Sequence, residues 1–507
     1  MKDRLRDVSK ILAALAGGEV ARAVGFRAPG GAGSEAVDRQ QHRARAIRHS
    51  LEQLGPFYIK MGQMLSTRPD IVPDYMIEEF QHLHSQVSVA PFASFEEVLE
   101  EELGRDWNKH FKEIVTDRPL GAASLAQVYR VTLQNGTPAV VKIQRPGVIP
   151  MMLDDMALLR RAARILAKRA PNFNEVVDVE AMLETIFRAM EPELDFRVEG
   201  RNTTEASEFI GRYEHLAVPE VIFATRKVLV QSLAPGCSIR DADRDAFSAE
   251  EREAIGRELL GFMFRGFFVD RIFHADPHPG NIFVEPGQPA HLIDWGMVGR
   301  MDRRLSTSLV MTLLNIAQND GVAVARSWVE MGRATSCANL SAFEADMAGL
   351  IPTLAGASME EMNLGVSLTS ILKYSTRRGI QTPTVVALLG KSFANLDGSI
   401  RYLAPELNML EVFEEEFQDI LFDLVKEALS PETGVKLALQ SLISSLALPE
   451  QASIVTRDIA SRDFTINVNE FPGRRSEDRA DARMKMLTRT ALAVVGAAWW
   501  RERRRHR

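Results

Sequence analysis

The 507-residue chain has only two cysteines, Cys237 and Cys337, far apart and outside any C-x-x-C. That excludes a disulfide scaffold and a cysteine-based zinc site, and makes a reducing compartment the expectation. No run of ~18 apolar residues exists, so no ordinary transmembrane helix is expected. The early apolar run, Ile11 to Ala16, is too short for a secretory signal, and Asp3 and Asp7 interrupt the basic region before it. No internal repeat of ~20–50 residues is visible. A basic surplus is lacking too: the net charge is −7.

At 46% hydrophobic and 25% charged, the composition is that of a globular protein, not a disordered chain, a collagen or a coiled-coil rod. The length allows about three units of ~150 residues. The charge is unevenly spread. Residues 474–507 hold eleven Lys and Arg against four Asp and Glu, a net of +7; the rest holds 50 against 64, a net of −14. An acidic body does not match a nucleic-acid binder, whose basic footprint lies on the folded domain. A basic tail matches an anionic surface.

Along the chain, residues 28–34 are a Gly/Ala/Pro loop. Helical spacing follows to about residue 86, broken by Pro56, Pro69 and Pro73. Strand-favouring residues run from Leu125 to Leu133 and from Pro138 to Gln144, joined through Asn135-Gly136, a tight-turn pair. Helices are expected over residues 148–169 and 177–208, strands over 215–222 and 227–233, and a helix over 249–269. Two short strands at 281–284 and 291–293 bracket loops. Residues 303–448 have helical periodicity almost throughout.

Four polar landmarks occur in the order that phosphoryl transfer requires. Leu120, Gly121, Ala122, Ala123, Ser124, Leu125, Ala126, Gln127 and Val128 form a small-residue turn at the start of the hairpin. Small residues let backbone N–H groups approach phosphate. Lys142, in Ala139-Val-Val-Lys-Ile143, matches the strand lysine that pairs with nucleotide phosphates and a helix glutamate; Glu199 and Glu193 are its candidate partners. Asp276 and Asn281, in His274-Ala-Asp-Pro-His-Pro-Gly-Asn281, have the spacing of a catalytic aspartate and a magnesium-binding asparagine. Ile293-Asp-Trp-Gly296 ends a strand in a candidate metal-binding aspartate, Asp294, with Trp295 where D-F-G has Phe. The larger Trp carries an N–H that needs an acceptor, so the packing there must differ. His274 and His278 are four apart, but Pro277 and Pro279 preclude the helix that a zinc-binding pair needs.

These residues resemble the UbiB/AarF-domain family of atypical kinases, linked to quinone-lipid biosynthesis. The resemblance includes a marker absent from ordinary kinases, K-x-G-Q, here Lys60-Met61-Gly62-Gln63 inside Leu54 to Pro73. It matches the family's alanine-rich loop to Gly121–Ser124, its E-x-D to Glu193-Leu194-Asp195, and its lysine partner to Glu199. The resemblance implies ATP and Mg2+ as cofactors and a K-x-G-Q helix over the active site, with Lys60 reaching Glu193. It further implies ATP hydrolysis or small-molecule phosphorylation in place of routine protein phosphorylation. Gly121 departs from the family's first loop alanine, which makes the loop more flexible. Val230-Gln-Ser-Leu233 departs from its usual Met-Glu.

The expected fold class is α+β, a two-lobed protein-kinase-like fold with an N-terminal helical K-x-G-Q extension and a helical C-terminal extension. The expected divisions are residues 1–95, 96–233, 234–410, 411–472 and 473–507. The expected function is that of an atypical kinase or ATPase supporting ubiquinone or related isoprenoid-lipid biosynthesis. The alternative is an ATP-binding pseudokinase scaffold in a membrane-associated biosynthetic complex. Expected partners are a lipid or quinone precursor and an anionic membrane surface, with no nucleic acid. The tail would hold the protein peripherally on the cytoplasmic, inner face. Its apolar positions, among them Met484, Leu487, Ala491 and Val494, repeat at helical spacing, and Trp499 and Trp500 suit the headgroup level.

Overall fold

A computed structural model of the chain describes residues 34–66, 72–83, 89–169, 179–335, 338–355 and 364–428. The expected membrane tail, 473–507, and most of the expected extension 411–472 lie outside the described residues. The chain forms two compact units. One contains the described residues up to Ala242 together with Pro279–Val298; the other contains Asp243–His278 and the described residues from Gly299 onward.

In chain order the first unit begins with helices α1 (Ser34–Leu54), α2 (Pro56–Ser66), α3 (Asp74–Gln81) and α4 (Glu96–Leu103). Strands β1 (Phe111–Ile114), β2 (Gly121–Ala122), β3 (Ala126–Leu133) and β4 (Pro138–Gln144) follow, then helices α5 (Val148–Arg169), α6 (Val179–Met190) and α7 (Phe196–Ile210). Strands β5 (Leu216–Ala217), β6 (Val221–Ala224), β7 (Val228–Ser232) and β8 (Cys237–Ser238) complete the continuous part. The main sheet has the order β1-β3-β4-β7-β6, with β2 on β3, and every pair is antiparallel. The Asn135-Gly136 turn closes β3 onto β4, with Gly136 at φ +87°. A second sheet runs β5, Ala290–Leu292, Ile282–Val284, β8.

Alternation along β4 divides its side chains between two cores. Ala139, Val141 and Ile143 join Tyr129, Val131, Val228 and Val230 against Phe95 and Leu99 of the α4 region. On the α7 side, Leu229 packs with Ala126 and Phe196. A third core is mainly helical: Leu51, Phe57 and Ile59 of α1 and α2, and Met76 and Phe80 of α3, meet Met152 of α5 and Phe187 of α6. Each large apolar side chain buried there contributes about 1.5–3 kcal/mol. The K-x-G-Q helix α2 is therefore anchored on the helices inserted between β4 and α7.

Two expected elements are divided. The described part of the expected helix 177–208 is two helices, α6 and α7, separated by a 3₁₀ turn, Glu191–Leu194, that contains Pro192. Proline lacks the N–H that a continuous helix needs, and Asp195 starts α7 by accepting the Arg197 N–H. Residues 215–222 form two strands in different sheets, because Pro219 interrupts the ladder.

The second unit contains α8 (Ala249–Phe268), a short strand Ile272–His274, and helices α9 (Arg303–Ala317), α10 (Gly321–Met331), α11 (Leu340–Ala355), α12 (Leu364–Arg377), α13 (Thr384–Leu403) and α14 (Met409–Ala428). Ser248 caps α8 by accepting the Glu251 N–H, and aspartates 302 and 320 cap α9 and α10 in the same way. α8 is ion-paired to α14 through Arg257–Glu415 at 2.6 Å and Arg265–Asp423 at 2.5 Å. Among the described residues no helix is long and apolar enough to cross a membrane.

Candidate active site

Lys142 sits mid-sheet, opposite Val128 on β3 and Leu229 on β7. The alternation that sends Val141 to one core turns Lys142 toward α7. Its Nζ lies 2.9 Å from both Oε1 and Oε2 of Glu199, 3.5 Å from Oδ1 of Asp294 and 5.3 Å from the centroid of the Phe196 ring. Glu199 is buried. Burial pushes its carboxyl up to about 7, with Asp294 adding to the rise and Lys142 opposing it. Burial works to lower the Lys142 ammonium, but Asp294 and Glu199 outweigh it and hold it above its ordinary value. Lys142 thus faces two carboxylates with one positive charge.

Asn281 and Asp294 are thirteen residues apart in sequence and adjacent in the hairpin. Ile282 pairs with Leu292, and the Ile293 N–H donates to the Asn281 carbonyl at 2.9 Å. Asp294 has φ +60°, a left-handed conformation uncommon outside glycine and frequent at functional sites. A Cβ on Gly296 would lie 3.2 Å from Asp294 Oδ1 and 3.8 Å from Glu199 Oε2, so a side chain there would crowd the Asp294 carboxylate and touch that of Glu199. Trp295 is buried, and its Nε1–H finds the expected acceptor in the Leu292 carbonyl at 3.0 Å. Hard oxygen donors from one asparagine and one carboxylate, beside excess negative charge, fit Mg2+, which completes its shell with water and phosphate oxygens. Among the described residues no group of three or more His, Cys, Asp or Glu side chains forms a protein-only metal cage.

Asp276 belongs to the second unit. Its Oδ1 accepts from Asn395 Nδ2 at 2.7 Å and lies 3.1 Å from Lys391 Nζ. Burial raises this carboxyl, but Lys391, His278 and His274 outweigh it and hold it below the usual carboxylate range. His274 is buried and accepts the Asp276 N–H at Nδ1, 3.1 Å away, which fixes the turn. Nothing in the motif points to Lys391 and Asn395. The signal available was a run of polar residues, Lys391, Ser392, Asn395 and Ser399, spaced along one stripe of an otherwise apolar helix.

The small-residue loop is already partly occupied by the hairpin. The N–H groups of Leu120 and Ala123 donate to Val128 and Ala126 carbonyls. The buried side chain of Gln127 holds Ala90 and Tyr129, so its role is in the fold. Gly121 and Ala123 are exposed; Ser124, Leu125 and Ala126 are buried. Lys60 Nζ meets Glu193 Oε2 at 2.5 Å, and Gln63 Nε2 donates to the Leu83 carbonyl at 2.9 Å. Gly62 allows a close approach: a Cβ there would fall 2.3 Å from Leu83 Cδ1 and 3.0 Å from Leu51 Cδ1, so both leucines would have to shift.

The family model for the ABC1 atypical kinase-like domain matches residues 82–328. An uncharacterized protein of Synechocystis sp. is 31% identical over 361 residues, which cover 69% of this chain and 88% of that protein. A Vibrio cholerae protein named "Probable protein kinase UbiB" is 30% identical over 384 residues, covering 73% of this chain and 70% of that protein. The solved structure of Rv3197 from Mycobacterium tuberculosis, in complex with erythromycin, has a TM-score of 0.52 at 22% identity, covering 75% of this chain and 97% of that chain. That likeness is one of fold. With its motifs, its domain match and its relatives in agreement, the chain belongs to the ABC1/UbiB family of atypical kinases and has the family's kinase-like α+β fold.

Proposed function

We propose that the protein binds ATP with Mg2+ and hydrolyses it, or transfers its γ-phosphoryl group to a small acceptor, in support of ubiquinone or related isoprenoid-lipid biosynthesis. The observation that carries this reading is the Lys142–Glu199–Asp294 cluster. A lysine fixed by a buried glutamate and placed beside a second carboxylate is suited to hold nucleotide phosphates. Asn281 and Asp294 would hold the magnesium ion, which neutralises charge on the phosphate oxygens. Asp276, kept ionised, receives the proton. An oxygen of water or of an alcohol bonds to the γ-phosphorus as the bond to the bridging oxygen breaks. ADP leaves with that electron pair, and the acceptor's proton passes to Asp276.

The basic tail supports an anionic, inner-face membrane surface as the location, the relatives named UbiB support a lipid or quinone precursor as acceptor, and the acidic body argues against a nucleic-acid partner. Saturating Mg-ATP should raise the melting temperature of wild type, since a ligand of the folded state stabilises it by mass action. The shift should be lost in Lys142→Ala. Asp276→Asn should keep the shift and lose turnover. An unchanged melting temperature in wild type would refute nucleotide binding. Normal turnover by Asp276→Asn would refute its role as base. A nucleotide shift with no turnover, even with anionic vesicles, would favour the scaffold reading.

A further inference from the structure

The motif His274–Asn281 contains no lysine or arginine, yet its aspartate is held by a lysine. That lysine comes from α13, a helix more than a hundred residues further along the chain. Lys391, Ser392, Asn395 and Ser399 follow one another along one side of α13. They divide the loop between them. Ser392 Oγ donates to the His274 carbonyl at 2.6 Å, and Ser399 Oγ donates to the Pro277 carbonyl at 2.9 Å. Those two bonds hold the loop backbone. Lys391 and Asn395 instead grip the side chain of Asp276, both at Oδ1.

We propose that Lys391 and Asn395 are positioning residues for phosphoryl transfer: they fix the Asp276 carboxylate in the orientation in which it takes the acceptor's proton, and Lys391 supplies the fixed positive charge that the motif lacks. This inference rests on the reading of Asp276 as the base. A proton acceptor must be ionised and correctly aimed when the new O–P bond forms. A carboxylate with one oxygen bound to an ammonium and an amide meets both needs. The low-lying Asp276 carboxyl agrees with this. The other basic residue late in α13, Arg401, pairs at 2.8 Å with Asp397 of its own helix and serves as a control.

The test is steady-state Mg-ATP hydrolysis by the full-length protein. Lys391→Met should lower kcat about 10²-fold, the scale of a misaimed catalytic group, with KM for ATP and the Mg-ATP melting shift unchanged. Asn395→Ala should lower kcat by less. Lys391→Arg should restore most of the turnover, because the charge returns, and Arg401→Ala should match wild type. If Lys391→Met turns over ATP normally while Asp276→Asn is inactive, the inference is wrong and the base reading stands. If kcat, KM and melting temperature all fall together and Arg does not rescue, Lys391 is a structural residue. If Asp276→Asn itself retains turnover, the base reading has failed and this inference falls with it.

Discussion

Asn202 donates its side-chain N–H to the main-chain carbonyl of Trp295 at 2.9 Å, so the helix that carries Glu199 also holds the residue that follows Asp294. Glu199, Asn202 and Thr203 share the buried face of α7, as three- and four-residue spacing requires. The lysine partner and the candidate metal ligand are therefore tied to the same helix. Asn202→Ala would leave a buried carbonyl without this donor, a loss of about 1–3 kcal/mol. It should also weaken magnesium-dependent nucleotide binding while the Lys142–Glu199 pair stays in place. Isothermal titration with Mg-ATP checks this; wild-type affinity in Asn202→Ala would show that the coupling has no effect on binding.

Trp295→Phe would restore the residue usual in D-F-G, and we expect it to destabilise the protein. Trp295 is among the largest fully buried side chains, and its Nε1–H satisfies the Leu292 carbonyl. Phe leaves both a void and that carbonyl without its partner, costing about 1–3 kcal/mol. Chemical denaturation followed by fluorescence reads this directly. A variant as stable as wild type would mean the pocket collapses onto the smaller ring.

Much of this was legible in the sequence because the signals were local. Asn135-Gly136 set the hairpin, alternation along β4 turned Lys142 away from Val141, and the register of Ile282 on Leu292 explains the thirteen-residue spacing from Asn281 to Asp294. What was not legible depended on tertiary partners. A lysine on a late amphipathic helix looks solvent-facing until the loop bearing Asp276 is laid on it. The apolar spacing continues on both sides of Pro192 and hides the break there, and Gln127 lies within the loop's sequence although its side chain serves Ala90 and Tyr129.

Two glycines of the matched motifs should respond in opposite ways to alanine. Gly62→Ala forces a methyl into Leu83 and Leu51, and overpacking of this kind costs about 1–3 kcal/mol. At Gly121 a Cβ meets nothing within 4 Å and φ is not left-handed. Gly121→Ala should be neutral, or stabilising by up to ~1 kcal/mol through the unfolded chain, so any change in nucleotide handling would belong to the loop itself. Melting curves of the two variants side by side test the contrast; a destabilised Gly121→Ala would contradict it.

Asp195 links the start of α7 to pH. The Arg197 guanidinium, bonded to it, is the main reason that its carboxyl is held below its ordinary value of 3.8; burial opposes and the Arg197 N–H assists. A depressed carboxyl stabilises the fold above the unfolded value and loses that contribution as pH falls through the folded one. Asp195→Ala should therefore cost about 0.5–2 kcal/mol at pH ~7, and the gap from wild type should narrow once pH drops below 3.8. Asp195→Asn keeps an acceptor for the cap and should lose only the pH-dependent part. Amide exchange in α7 across pH reports it, and a gap that widens in acid would reverse the assignment.

Lys60 and Glu193 offer the sharpest separation of fold from function in the K-x-G-Q segment. Their side chains are 23% and 9% exposed, so the pair is largely shielded and salt should weaken it little. Lys60→Ala leaves a buried carboxylate unpaired, at a cost of about 3 kcal/mol, the lower end for breaking a buried pair. Replacing both, as in Lys60→Met with Glu193→Leu, removes the charge together with its partner and should recover most of that stability. The double variant is then as folded as wild type but has no ion pair holding α2 to the turn before α7. If the pair restrains turnover, the double variant should hydrolyse ATP faster or phosphorylate itself, and that gain cannot be ascribed to unfolding. If it shows wild-type kinetics and no phosphorylation while Lys60→Ala alone is unstable, the pair serves the fold and the restraint lies elsewhere on α2.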